Sequence, residues 1–147
     1  MIPFFFVLVS LTAPARDTLA AALVAEGATL DGGAAMLYVL RKRARVQGRT
    51  LPDMARKYCE AWKHRRPRPR ALEMRRLALR PGPWSSYYGR FQRARALVVR
   101  WEQGRVADPC RGRAWHWAAP SRRPRGRMRA IRCGRTRNRF YTLAPRA

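Results

Sequence analysis

Leu19-Ala-Ala-Ala-Leu-Val-Ala-Glu26-Gly-Ala28 is the stretch that decides how this chain reads. Leu19, Ala22, Leu23 and Glu26 recur at steps of three and four, which line up on one face of a helix. That face turns toward the core, so a carboxyl rides on the apolar side. Glutamate is rarely buried without a partner. Burial disfavours the charged form and raises the carboxyl pKa, which makes Glu26 a candidate general acid. The competing reading is a structural acid paired with an arginine.

The pattern extends in both directions. A first helix is expected from Arg16 to about Ala28, with Asp17 near its positive end and Gly27 near its stop. Thr29 to Gly33 reads as a turn. A second helix is expected over Ala34 to about Val46, and its basic last turns suit the negative end. Thr50-Leu-Pro-Asp53 opens a third helix, whose buried stripe is Met54, Tyr58, Ala61 and Trp62. His64-Arg-Arg-Pro-Arg-Pro-Arg70 breaks it. A short helix covers Ala71 to Leu79, and Ser85 or Ser86 caps a longer one reaching Gln103. Beyond Arg105 no period holds, apart from a candidate hairpin near Ile131 or Phe140. The fold class is mainly α, with an irregular C-terminal segment.

At 147 residues with 47% apolar and 28% charged side chains, the chain is long enough for one cored domain and is not of disordered composition. Lys and Arg total 33 against 8 Asp and Glu, a net charge of +25. All but Lys42, Lys57 and Lys63 of these cations are arginine. Such a chain is drawn to polyanions such as nucleic acid or envelope polymers. A solvated surface drifting toward arginine explains the charge equally well.

Residues 1–15 carry an apolar run, Ile2 to Leu11, followed by Thr12-Ala-Pro-Ala15. It is too short for a membrane span and resembles a signal peptide cleaved after Ala15, although its n-region has no Lys or Arg. Residues 16–147 then form a single domain, secreted or periplasmic. A buried N-terminal strand is the alternative. In an exported chain Cys110 and Cys133 are the natural disulfide pair, with Cys59 left as a buried thiol. Metal-ligand spacing is missing from the sequence, and neither metal nor cofactor is expected.

Trp115-His116-Trp117 is the second chemically loaded stretch. Flat rings offer stacking platforms for sugars, and a histidine bonds hydroxyls or carries a proton. The alternative makes the tryptophans anchors that pack the tail, with His116 idle.

Three segments resemble cell-wall hydrolases of the spore-cortex-lytic, lysozyme-like type. They are Leu23-Val-Ala-Glu26-Gly27 followed by Gly32-Gly-Ala-Ala-Met-Leu-Tyr-Val-Leu40, then Asp108-Pro-Cys110-x-Gly112-x-Ala114-Trp-His-Trp117, then Cys133-Gly-x-Thr136-x-Asn138-x-Phe140-Tyr. The resemblance implies a lysozyme-like helical domain that degrades peptidoglycan as a glycosidase or lytic transglycosylase. It places the catalytic acid at Glu26. Such hydrolases carry a second acid soon after the first, which makes Asp31 the candidate second carboxylate. Trp115, His116, Trp117, Thr136 and Asn138 become substrate-binding candidates, although Thr136 and Asn138 serve equally to close a tight turn. The implied partner is peptidoglycan or another anionic envelope polymer, and a phage-encoded lytic protein fits the same description. Two other classes remain open: a basic nucleic-acid-binding protein, and a non-catalytic envelope protein of lysozyme-like shape.

Overall fold

The computed structural model describes residues 10–143. Most of the N-terminal apolar run, residues 1–9, lies outside the described residues. Six helices and a three-stranded sheet follow one another: α1 (Ala13–Ala25), α2 (Leu30–Gln47), α3 (Leu51–Tyr58), α4 (Glu60–Lys63), α5 (Pro69–Leu79), α6 (Tyr88–Glu102), β1 (His116–Ala118), β2 (Met128–Ile131) and β3 (Arg139–Leu143). The protein is mainly helical. No helix among the described residues is long and apolar enough to cross a membrane.

Helix α1 is the axis. Leu19 through Val24 are all buried, so α1 is enclosed on every side rather than along the one face expected from its spacing. Alanines make this feasible, because their small side chains let neighbouring helices approach closely. On one side Leu19, Ala22 and Leu23 join Met36, Leu40, Met54, Val98 and Phe140. On the other, Ala20, Ala21 and Val24 meet Ala61, Met74, Leu77 and Phe91.

The expected cleavage point after Ala15 falls within the first turn of α1, which Thr12 caps by accepting the Ala15 N–H. Glu102 draws Arg16 onto the end of α6 at 2.8 Å, and also accepts the backbone N–H of Leu11.

Three expected boundaries need correction. Residues 30–33 form the first turn of α2 and not a loop: the Thr29 hydroxyl accepts the Gly32 N–H at 3.1 Å, and Asp31 suits the positive helix end. The third helix is two helices, because Cys59 adopts an extended backbone (φ −89°, ψ 146°) between α3 and α4. Ser85 does not cap α6 directly; its hydroxyl accepts the Tyr87 N–H and donates to Glu73.

The tail is more ordered than its composition suggests. Central β3 pairs antiparallel with β2, where Ile131 faces Phe140, and with β1, where Trp117 faces Phe140. The segment carrying His116 and Trp117 is therefore a strand within the region expected to be irregular. Phe140 and Tyr141 are buried and seat the sheet on the helices. A disulfide joins Cys110 to Cys133, while Cys59 is free and buried.

Candidate functional site

Glu26 is the C-cap of α1, directly after its last helical residue Ala25, and a glycine turn sets its position. The Gly27 N–H bonds the Val24 carbonyl at 3.0 Å and the Ala28 N–H bonds the Leu23 carbonyl at 3.1 Å. This is a Schellman motif, and it requires a left-handed residue at Gly27, where φ is +64°. The chain turns away at once and leaves the Glu26 carboxyl at the mouth of a cleft.

That carboxyl has two protein donors. Its Oε1 accepts the Glu60 backbone N–H at 2.7 Å, and its Oε2 accepts the Trp117 indole N–H at 3.1 Å. The Glu60 N–H is free because the chain breaks at Cys59. Glu26 thus caps α4 from across the molecule. None of the ion pairs found among the described residues involves Glu26. Burial raises the Glu26 pKa, and the Glu60 charge acts the same way; the two hydrogen bonds and Lys63 only partly offset this.

Ala25, Glu26, Tyr58, Glu60, Lys63, Trp117, Ala118, Ala119, Arg122 and Asn138 line the cleft, whose volume is about 190 Å³. A larger depression of about 560 Å³ adjoins it, bounded by His116, Trp117, Arg122, Arg125, Met128 and Tyr141. Trp117, Ala118 and Arg122 border both spaces. Asn138 is buried to 7% exposure at the cleft wall, and its side-chain amide has no hydrogen-bond partner among the described residues.

Glu60 is the carboxylate that shares this cleft, and sequence reasoning missed it. Partial burial works to raise its pKa, but bonds from Lys63 at 2.9 Å and His64 at 2.8 Å win, holding it below the ordinary value. The candidate second carboxylate, Asp31, is placed elsewhere. It accepts the Arg135 N–H at 2.8 Å and lies against Gly134, so it anchors the loop after Cys133 and does not line the cleft.

The remaining candidates divide. Trp117 and Asn138 face Glu26. His116 faces the neighbouring depression, and Arg43 donates to its Nδ1. The same guanidinium nitrogen lies 3.3 Å from Nε2, so Arg43 sits against the edge of the ring. Burial and the Arg43 charge lower the His116 pKa to about 4, so the ring is neutral at pH 7. Trp115 lies under Lys42, whose Nζ is 4.5 Å from the ring centroid, and lines neither space. Thr136 packs near Gly32 at the start of α2 and is also outside the cleft. No three His, Cys, Asp or Glu side chains among the described residues are grouped to hold a metal ion.

Comparison with protein-family models, curated proteins and solved structures yields no match.

Proposed function

We propose that this chain cleaves a glycosidic bond of a cell-wall glycan, with Glu26 as general acid. The observation that carries the reading is Glu26 itself: a half-buried carboxyl with a raised pKa at the edge of an open cleft. Glycosidic cleavage needs an acid to protonate the leaving oxygen and a second carboxylate to serve the developing positive charge. The two carboxyls at this cleft are pushed in opposite directions, Glu26 up and Glu60 down, which is how acid and base roles are divided in one site.

In this reading Glu26 gives its proton to the bridging oxygen as the bond to the sugar carbon breaks. Glu60 stabilises the cationic sugar in place of Asp31. The Glu26 carboxylate then takes a proton from water, giving hydrolysis, or from the sugar's own hydroxyl, giving an intramolecular ether as in a lytic transglycosylase. The Trp117 indole bond stabilises that carboxylate after transfer. The Asn138 amide bonds sugar or acetamido groups, and the depression beyond Trp117 receives further units of the strand.

The reading implies a lysozyme-like domain that is secreted, periplasmic or delivered by a phage, with peptidoglycan as its partner. The net charge of +25 favours approach to an anionic envelope. Zymography on peptidoglycan, comparing the wild type with Glu26→Gln, tests it. Clearing by the wild type alone supports the enzyme. No clearing, with salt-sensitive retention of DNA, favours a nucleic-acid-binding protein. Neither activity favours a non-catalytic envelope protein.

A further inference from the structure

A third cavity borders the end of α1 and shares no lining residue with the Glu26 cleft. Its volume is about 470 Å³, within the usual range for small-molecule sites of about 300–1,000 Å³. Leu23, Val24, Ala28, Ala94 and Leu97 give it an apolar floor. Four arginines stand around it: Arg70 from α5, Arg90 and Arg93 from α6, and Arg137 from the segment before β3.

Among the described residues, no carboxylate pairs with any of these four charges. The eight acids of the chain are committed elsewhere. Asp17 holds Arg95, Glu102 holds Arg16, Asp53 holds Arg56, and Glu60 holds Lys63 and His64. Glu73 accepts from Ser85, Asp108 from the backbone of Cys110 and Gly112, and Asp31 from Arg135. Glu26 faces the other cleft. None of the four arginines has a carboxylate partner among the described residues. All four side chains are exposed, so water screens their mutual repulsion, and their donors remain open to an anion entering the cavity.

Two of the four are also held in place. Arg70 donates to the Val24 carbonyl at 2.8 Å, and its guanidinium lies 5.3 Å from the Tyr87 ring centroid. Arg90 lies 5.8 Å from the same centroid. Tyr87 thus braces two of the four. A guanidinium has five N–H donors, so the Arg70 bond to Val24 leaves others for a ligand.

We propose that this cavity binds a pyrophosphate group carried on a compact or aliphatic frame. Two linked phosphates bring a charge of about −3 to −4, which matches four arginines. Arginine is suited to phosphate because its planar fork bonds two oxygens at once. No aromatic ring lines the cavity to stack a nucleobase, while the leucine and alanine floor accepts alkyl groups. A free pyrophosphate and the head of a prenyl diphosphate share this chemistry.

Calorimetric titration at constant ionic strength tests the proposal, with sodium pyrophosphate, orthophosphate and farnesyl diphosphate as probes. Arg93→Gln and Arg137→Gln are the cavity variants; both side chains are exposed, so folding, checked by circular dichroism, is retained. Arg76→Gln and Arg100→Gln, exposed on α5 and α6 outside the cavity, are the controls. Each cavity variant is expected to weaken pyrophosphate binding about tenfold, each control less than about twofold. Orthophosphate should bind more weakly than pyrophosphate. Tighter binding of farnesyl diphosphate assigns the lipid source, and equal or weaker binding the free one. The proposal is overturned if pyrophosphate does not bind at millimolar concentration, if the cavity variants bind as well as wild type, or if the controls lose as much as they do.

Discussion

Trp117→Phe isolates one contribution to the Glu26 environment. Phenylalanine keeps a ring against the cleft but removes the indole N–H that Glu26 Oε2 accepts at 3.1 Å. A hydrogen bond to a charged group contributes about 1.5–3 kcal/mol. The low end applies here, because the carboxyl is half-buried and water replaces part of the loss. This bond favours the ionised form, so its removal raises the already elevated pKa. At about 1.4 kcal/mol per pH unit, the variant carboxyl should titrate about one unit above wild type. Carbon-13 NMR of selectively labelled glutamate, followed through a pH titration, reads this directly. If Glu26 is the acid, the alkaline limb of the pH–rate profile moves upward with it. An unchanged or lower Glu26 midpoint in the variant would refute the reasoning, since the indole would then contribute nothing to the carboxylate.

Three further outcomes follow from the same contacts. Glu26 binds its proton more tightly in the folded than in the unfolded chain, so its contribution to stability is greatest below the ordinary carboxyl value of 4.5 and is lost as pH rises through the folded midpoint; urea melts over that window should show the decline in wild type and not in Glu26→Gln. Gly27→Ala places a side chain at φ +64°, where the added Cβ meets only Arg137 at 3.7 Å; left-handed strain alone should cost about 1–2 kcal/mol in a thermal melt, and a stabilised variant would contradict the assignment of the turn. Reducing the Cys110–Cys133 bond, which closes a separation of 23 residues, should cost about 3 kcal/mol, read as a lower urea midpoint in dithiothreitol.

The first helix and its terminal glutamate are legible in the sequence because they rest on local signals. A run of alanines, a carboxyl at the helical step and a following glycine suffice. Three other features are not legible, since each is set by a partner far along the chain. The break at Cys59 interrupts a good helical period, and the Glu26 carboxyl that caps the new helix comes from 34 residues earlier. Strand β1 has only three residues and is defined by β3, with His116 opposite Tyr141. Glu60 reads as an ordinary helix-surface acid beside Lys63 and His64, and only the break turns its backbone toward Glu26. Asp31 shows the converse. Nearness in sequence made it the natural second carboxylate, but the start of α2 at Leu30 carries it to the Arg135 loop.

The charge is partly organised as well. Asp17 and Glu102 each draw one arginine into a bonded pair, and Arg43 is buried with bonds to the Trp115 carbonyl at 2.9 Å and to His116. Arg43 thereby fastens β1 to α2 and helps hold Trp117 beside Glu26. Arginine suits this position because its fork serves two acceptors while it lies 4.2 Å from the Tyr58 ring centroid.

The most direct test of the Glu26 assignment is mass analysis of soluble fragments released from purified peptidoglycan by the wild type and by Glu26→Gln. The account predicts sugar-terminated fragments from the wild type, with reducing or anhydro ends, and at least a hundredfold less (~10² or more for a lost general acid) from the variant. Equal release by the two proteins, or no release by a folded wild type, would contradict it.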